Sequence, residues 1–369
     1  MCEKCVMDTS DTLITFNEDG VCNHCIEAEK ILETVTYTHE EEQQNLEALV
    51  QTIKKSAKGK YDSIVGVSGG VDSSYVVHLA FELGLNPLIV HFDNGWNSET
   101  SVSNIEKLIN KTGFDLETYV IDWAEFKDLQ RSFLKAGVID IEMLSDHAIM
   151  ATMFAITRKK RIRNVLSGTN HRTEFGLPES WVWHKQDFKN IKSIQQRFGS
   201  KKIKSFPSLN TVQMNLIKIF GLGGKYLEPL NMINYEKNKA MEILTKNYDW
   251  KYYGGKHYES TFTKFYQAYI LPTKFGIDKR KVHLSSLIRN GEITKEYAIS
   301  ELDKELYDSK QLRIDKEYVL KKLGFSSTEF DEIMKEQPRS HMDFPSERIF
   351  IEFLKKLLNR FNLSSLYSK

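Results

Sequence analysis

Two groups of residues have the types and spacing that chemistry needs. The first is Ser68-Gly69-Gly70-Val71-Asp72-Ser73-Ser74. Its two glycines let backbone N–H groups approach an anion with no Cβ in the way. A helix beginning at Ser73 would aim its positive end at the same anion. The second group is Cys2-x2-Cys5-x16-Cys22-x2-Cys25, the spacing of a tetrahedral zinc knuckle. Four thiolates leave no open coordination position, so Zn2+ held there would be structural.

The elements around the loop follow from hydrophobic periodicity. Residues 61–67 read as a buried strand that delivers the loop, and the apolar positions after Ser73 keep helical spacing until Gly84. Further strands are expected over 88–92, 117–121 and 164–167, with helices over 40–60, 99–111 and 146–160. Alternating strands and helices predict an α/β fold with a doubly wound parallel sheet, covered on both faces. Three regions are expected: a zinc-binding knuckle at 1–30, the α/β domain at 31–235 with an insertion or lid at about 180–224, and a mostly helical region at 236–369 that completes the substrate site. In the last region Ser326-Ser-Thr-Glu329 predicts a helix cap, and Ser346–Phe361 a final amphipathic helix.

The chain has 369 residues, with 51 Lys and Arg against 50 Asp and Glu. Near-neutral charge gives no global attraction to nucleic acid or acidic membranes. No apolar run reaches the roughly 18 residues that a membrane span needs, and no secretory signal precedes the knuckle. A cytoplasmic protein is expected, with a homodimer left open. Cys2 could become an amino-terminal nucleophile if Met1 were removed, but only about 60 residues precede the loop and the partner cysteines suit zinc better. Residues 26–369 contain no cysteine, so none remains to attack glutamine.

SGGVDSS lacks the Gly-Lys-Ser/Thr of the P-loop. It resembles instead the pyrophosphate loop of the N-type ATP pyrophosphatases, which include NAD synthetase, GMP synthetase, asparagine synthetase and the tRNA-modifying lysidine synthetases and thiolases. The resemblance implies an adenine nucleotide alpha hydrolase-like fold in which Ser68, Gly69, Gly70, Val71, Asp72, Ser73 and Ser74 bind ATP. Asp93, at the end of the second strand, falls where the family reads adenosine. Gly168-Thr169-Asn170-His171-Arg172-Thr173-Glu174 looks like the Gly-Thr-x-Asn-x-x-Glu run of NAD synthetase, with Asn170 one place early. By that likeness Gly168 and Thr169 also contact ATP, and Asp72 and Glu174 share Mg2+, for which carboxylates are suitable ligands.

The chain as a whole resembles the N-acetyl sugar amidotransferases of bacterial surface-polysaccharide and flagellar-sugar biosynthesis. The likeness rests on CEKCVMDTSD, GVCNHC, SGGVDSSY, SDHAIMA, YGGKHYESTFTKFYQ and GIDKRKVHLS. It departs at Gly168-Thr169-Asn170-His171, where typical members have Gly-Glu-Asn. The resemblance implies an ATP-dependent amidotransferase that converts an acetamido group on a nucleotide-linked sugar into an acetamidino group. Ammonia would come from a separate glutaminase. Asp72, Lys256, His257 and Glu259 are the expected catalytic residues, with Arg280 and Lys281 on phosphate. Tyr258, Phe262, Phe265, Tyr266 and Tyr269 keep helical spacing and read as core, and His147 as an internally satisfied histidine. The alternative is a tRNA-modifying enzyme with the same loop, kept open by Lys185, Lys189, Lys192, Arg197, Lys201, Lys202 and Lys204, although spaced lysines usually mark a solvated face. A zinc-dependent assembly module that binds ATP without chemistry is a third reading.

Overall fold

Five parallel strands set the architecture of the computed structural model, which describes residues 1–219, 223–255 and 258–348. In chain order the first elements are helices α1 (Asn23–Thr34) and α2 (His39–Ser56), strand β1 (Ser63–Val67), α3 (Val71–Glu82), β2 (Pro87–Asp93), α4 (Glu99–Thr112) and β3 (Leu116–Val120). Then come α5 (Trp123–Ala136), α6 (Met143–Lys160), β4 (Asn164–Leu166), the single turn α7 (His171–Glu174), α8 (Phe188–Phe198), α9 (Thr211–Ile219) and β5 (Lys225–Leu227). Helices complete the described chain: α10 (Lys237–Tyr248), α11 (Thr261–Phe265), α12 (Arg280–Arg289), α13 (Lys295–Leu302), α14 (Ser309–Leu323) and α15 (Ser327–Lys335).

The strand order is β3-β2-β1-β4-β5, with every pairing parallel. After β1 the chain builds outward through β2 and β3, then crosses to the other side of β1 for β4. That reversal opens a crevice beyond the carboxyl ends of β1 and β4, where open α/β sheets bind ligands. Alternate residues of β1 divide the core. Val65 faces α3, α2 and α10 with Val76, Leu49 and Leu244, whereas Ile64 faces α6 with Met153 and Ile156. β3 corrects the expectation of full coverage: it is an edge strand, with Leu116 and Val120 exposed.

A third cluster joins the two ends of the chain. Cys2, Cys5, Cys22 and Cys25 lie in it with Phe126 and Phe133 of α5, Phe262 and Phe265 of α11, Leu323 of α14 and Phe330 of α15. α5, which the sequence reading did not place, is capped by Asp122 and ends at Gly137 in the left-handed region. Beyond α11 the helix continues over Tyr266–Phe275 with π-helical spacing and Pro272 inside it. A widened turn of this kind redirects side chains, and here it brings Tyr266 and Gln267 to face residues 139–142. Tyr266 donates to the Ile139 carbonyl, and Gln267 Nε2 lies 3.1 and 3.2 Å from the Glu142 carboxylate oxygens. Ser326 caps α15 by accepting from the Glu329 amide. Most of the helix expected from Ser346 to Phe361 lies outside the described residues, as do Lys256 and His257.

Candidate active site and metal centre

The loop between β1 and α3 is shaped by close packing. Gly69 has φ +81°, and a Cβ on it would lie 2.5 Å from the Ser101 carbonyl oxygen, so only glycine fits. Trp250 Nε1 holds the Gly69 carbonyl at 3.1 Å. Gly70 caps α3 and donates its N–H to Ser68 Oγ at 3.2 Å, while Ser73 Oγ accepts from the Ser68 amide at 3.3 Å. Gly168 packs against this loop from β4: a Cβ there would sit 3.0 Å from the Ser73 amide nitrogen.

Between loop and neighbours lies a pocket of about 150 Å³, lined by Ser68, Gly70, Val71, Asp72, Ser73, Gly168, Glu174, Lys237, Tyr253 and Glu259. Three carboxylates and one ammonium therefore surround a loop built for anions. A diphosphate would be repelled by that set unless a divalent cation accompanied it, and oxygen donors of this kind suit such an ion. Tyr235 donates to Asp72 Oδ1. Burial, reinforced by the Asp72 carboxylate, pushes the Tyr235 phenol well above its ordinary pKa, so it stays a donor and fixes that carboxylate. Tyr253 is raised in the same way, by burial first and then by Glu259. The Glu259 backbone is tied to the far side of the sheet: its carbonyl accepts from Ser98 N–H at 2.8 Å and Ser101 Oγ at 3.1 Å.

This pocket adjoins a cavity of about 1440 Å³ that reaches Ser68, Ser73, Gly168, Glu174 and Glu259 at one end. Its apolar lining includes Val90, Met150, Met153, Phe154 and Val165. The charged part of its lining, termed the far lobe, carries both signs: Glu142, Asp146, Lys185, Gln267, Lys279 and His283. Lys279 Nζ pairs with Glu142 at 2.9 Å; Lys185 Nζ pairs with Asp140 at 2.7 Å and Asp146 at 3.0 Å. About half of the Asp146 side chain is open, facing the cavity. Burial raises its pKa, with Lys185 opposing and Glu142 adding to the shift.

Several expected site residues sit elsewhere. Arg280 spends its guanidinium on Asp278 and on the carbonyls of Glu301, Leu302 and Lys304, closing the end of α13. Lys281 pairs with Asp8 of the knuckle. Neither lines the cavity. Asp93 turns into its own loop, accepting from Gly95 N–H at 2.8 Å and Asn97 Nδ2 at 3.1 Å, and the cavity wall there is His91, Phe92, Asn94 and Asn97. Ser74 is fully buried beneath the loop, and Thr169 is exposed with its hydroxyl 2.9 Å from Ser167 Oγ. His147 is buried with both nitrogens engaged, by the Lys185 carbonyl at 2.7 Å and the Leu209 amide at 3.2 Å. In SDHAIMA it is thus Asp146, not His147, that meets the cavity. Lys185, first of the run weighed as a solvated or RNA-facing surface, is withdrawn into the far lobe.

The four cysteine sulfurs lie within 4.8 Å of one another, with Cys2–Cys25 at 3.9 Å and Cys5–Cys22 at 3.7 Å. A tetrahedron of sulfurs with metal–sulfur bonds near 2.3 Å has edges of roughly 3.8 Å, so the set fits one tetrahedrally held metal ion. Hydrogen bonding to Cys22 and Cys25 and the nearby Arg289 guanidinium pull the Cys5 thiol far down. Bonding to Cys25 and Cys5, with burial, pushes Cys22 up. A divalent ion lets all four thiolates form.

With this geometry in place, residues 259–358 match the family described as LPS biosynthesis protein WbpG-like, C-terminal domain. The match covers that segment of the chain. It begins at Glu259, which lines both spaces, and includes Gln267, Lys279 and His283 of the far lobe. No curated protein matches the chain. Among solved structures, NMN synthetase from Francisella tularensis aligns over 59% of this chain and 90% of its own, at 14% identity and a TM-score of 0.30. U34-tRNA thiolase NcsA from Methanococcus maripaludis with its [4Fe-4S] cluster covers 74% and 85% at 13% identity and 0.35. A predicted subunit of tRNA methyltransferase from Methanocaldococcus jannaschii DSM covers 50% and 75% at 12% identity and 0.29. Likenesses at these scores leave the architecture to rest on the strand order and loop described above.

Proposed function

We propose that the chain is an ATP-dependent amidotransferase subunit that converts an acetamido group on a nucleotide-linked sugar into an acetamidino group. The observation that carries this reading is the continuity of the cavity from the anion-binding loop to the mixed-charge lobe. ATP phosphates at Ser68–Ser73 and an acceptor at Glu142, Asp146, Lys185 and Gln267 would meet near Glu259. An amide carbonyl is a poor electrophile. Its oxygen attacks the α-phosphorus, and pyrophosphate leaves. Ammonia then adds to the imidate carbon and loses a proton, and AMP departs with the former amide oxygen. Glu259, which lines both spaces, would take that proton.

Asp72 and Glu174 would hold Mg2+, whose charge neutralises the departing pyrophosphate. Loop N–H groups bind the same oxygens, and Tyr235 keeps Asp72 in place. The knuckle metal is Zn2+ in this reading, bound by a closed set of thiolates. Because all four cysteines serve that ion, a separate glutaminase supplies the ammonia. The family of residues 259–358 supports a role in lipopolysaccharide biosynthesis.

The test combines purified chain, ATP, Mg2+, ammonium chloride and a nucleotide-linked N-acetyl sugar. AMP and a product about one mass unit lighter are expected, as oxygen is replaced by NH. Asp72→Ala should lower AMP formation by roughly 100- to 1000-fold. AMP release with glutamine alone as nitrogen source would overturn the two-protein arrangement, and no sugar-dependent AMP at all would overturn the reaction.

A further inference from the structure

We propose that Arg289 is a positioning residue that couples the four-cysteine centre to Glu174, so that the metal at one site sets divalent-cation affinity at the other. The inference rests on the reading of Asp72 and Glu174 as cation ligands. Glu174 ends a single helical turn, α7, which is too short to hold its own position. Its start is fixed by Asn170, whose Oδ1 accepts from the Thr173 amide at 2.8 Å. Its end is fixed by the next carbonyl, that of Phe175, which accepts from Ser286 Oγ at 2.8 Å and Arg289 Nη1 at 3.2 Å. The same guanidinium donates Nε to Cys25 Sγ at 3.4 Å and Nη2 to Cys5 Sγ at 3.7 Å. One planar, rigid group therefore touches two metal-binding sulfurs and the backbone next to Glu174.

Gly176 gives independent evidence that this fit is close. Its φ is +86°, and a Cβ there would lie 2.8 Å from Arg289 Nη1. The backbone after Glu174 is thus laid directly against the guanidinium. Geometry supplies the coupling. Arg289 is held on one side by the sulfurs of Cys5 and Cys25 and on the other by the Phe175 carbonyl. When the metal leaves, the sulfurs are no longer fixed, the guanidinium loses that anchor, and the backbone beside Glu174 loses a fixed donor.

The experiment uses the full chain, its metal content measured by a chromogenic chelator and Mn2+ binding in the presence of ATP followed by electron paramagnetic resonance. Arg289→Met is expected to retain its metal and to bind Mn2+ about tenfold more weakly. Its AMP formation should recover at high Mg2+. Arg289→Lys keeps the charge but cannot span both partners, so an intermediate shift is expected. Ser286→Ala, which touches no sulfur, should shift Mn2+ affinity in the same direction by a smaller factor. Chelator extraction should weaken Mn2+ binding by wild type, and by a clearly smaller factor in Arg289→Met. Unchanged Mn2+ affinity in both Arg289→Met and Ser286→Ala overturns the coupling, even if their melting temperatures fall. A loss on extraction as large in Arg289→Met as in wild type also overturns it. If wild type binds no Mn2+ with ATP, the cation-site reading fails first, and the same titration shows it.

Discussion

The knuckle and the far lobe of the cavity both bury ionisable groups, and they stabilise that charge by opposite means. Four thiols packed among Phe126, Phe133 and Phe265 cannot all ionise without an ion from outside. The far lobe is balanced by the chain itself: Asp140 accepts from Lys185 and from the Trp183 and Met143 amides, and Lys279 answers Glu142. The first arrangement makes local folding conditional on metal, whereas the second makes it conditional on pH and on each partner. In the proposed reaction the lobe would therefore present fixed charges to the acceptor before ATP is split.

The comparison breaks most sharply at the metal. Cys5→Ser removes one thiolate of a site whose binding free energy is on the order of 10 kcal/mol. Metal should be lost, and residues 1–34 should become protease-sensitive together with the end of α12, which Arg289 and the Val6–Ser285 hydrogen bond tie to the knuckle. Limited proteolysis with mass spectrometry reads this directly. A knuckle that stays protected without metal would mean that its packing, not the ion, holds it.

A smaller effect is expected from Lys185→Met. Asp140 is almost fully buried and would keep its amide donors but lose its cation. Breaking such a pair costs about 3–5 kcal/mol when the remaining charge is buried, at the lower end here because the Lys185 side chain is about a third open to the cavity. Denaturant unfolding of the metal-loaded chain should show the loss. Replacing Asp140 as well, by Asn, should recover part of it. A single variant as stable as wild type would make the lobe a solvated surface after all.

What the sequence made legible follows the range of the interactions. The loop, its strand and helix, and the cysteine spacing are local, and their chemistry could be read from adjacent residues. Arg280 and Lys281 looked like phosphate ligands because their partners, the carbonyls of 301–304 and the carboxylate of Asp8, are distant in sequence. Lys185 looked solvated for the same reason, since Asp140 lies 45 positions earlier. Tyr235 gave no sign of its bond to Asp72, 163 residues away. β5 is three residues long with Tyr226 exposed, too short to show a period. The pocket wall at Glu259 was foreseen from its motif, but the far lobe needed four segments brought together by α5, α6 and the π-helical turn.

The smallest effect concerns His341, which closes the far lobe from behind. Its Nδ1 is 2.7 Å from Asn190 Oδ1, so that nitrogen carries the proton and donates. Nε2 accepts from the Asp140 amide at 3.3 Å, which requires a neutral ring. Burial lowers its pKa from 6.5 to about 4, although the carboxylates of Asp140 and Asp187 oppose the shift. Because the folded value lies below the unfolded one, protonation favours unfolding. The stabilisation is complete above about pH 6.5 and is lost as pH falls toward 4, a change of about 3 kcal/mol at most. His341→Gln can keep one donor and one acceptor but does not titrate. It should cost some stability at pH 7.5 and show a flatter decline between pH 6.5 and 4 than wild type, measured by urea unfolding with the metal content checked at each pH. The knuckle also loses metal in acid as its thiolates protonate, so the comparison is made between the two proteins at equal metal occupancy. Parallel declines would place the acid sensitivity in the metal centre alone. A flatter one assigns a distinct share to the far lobe.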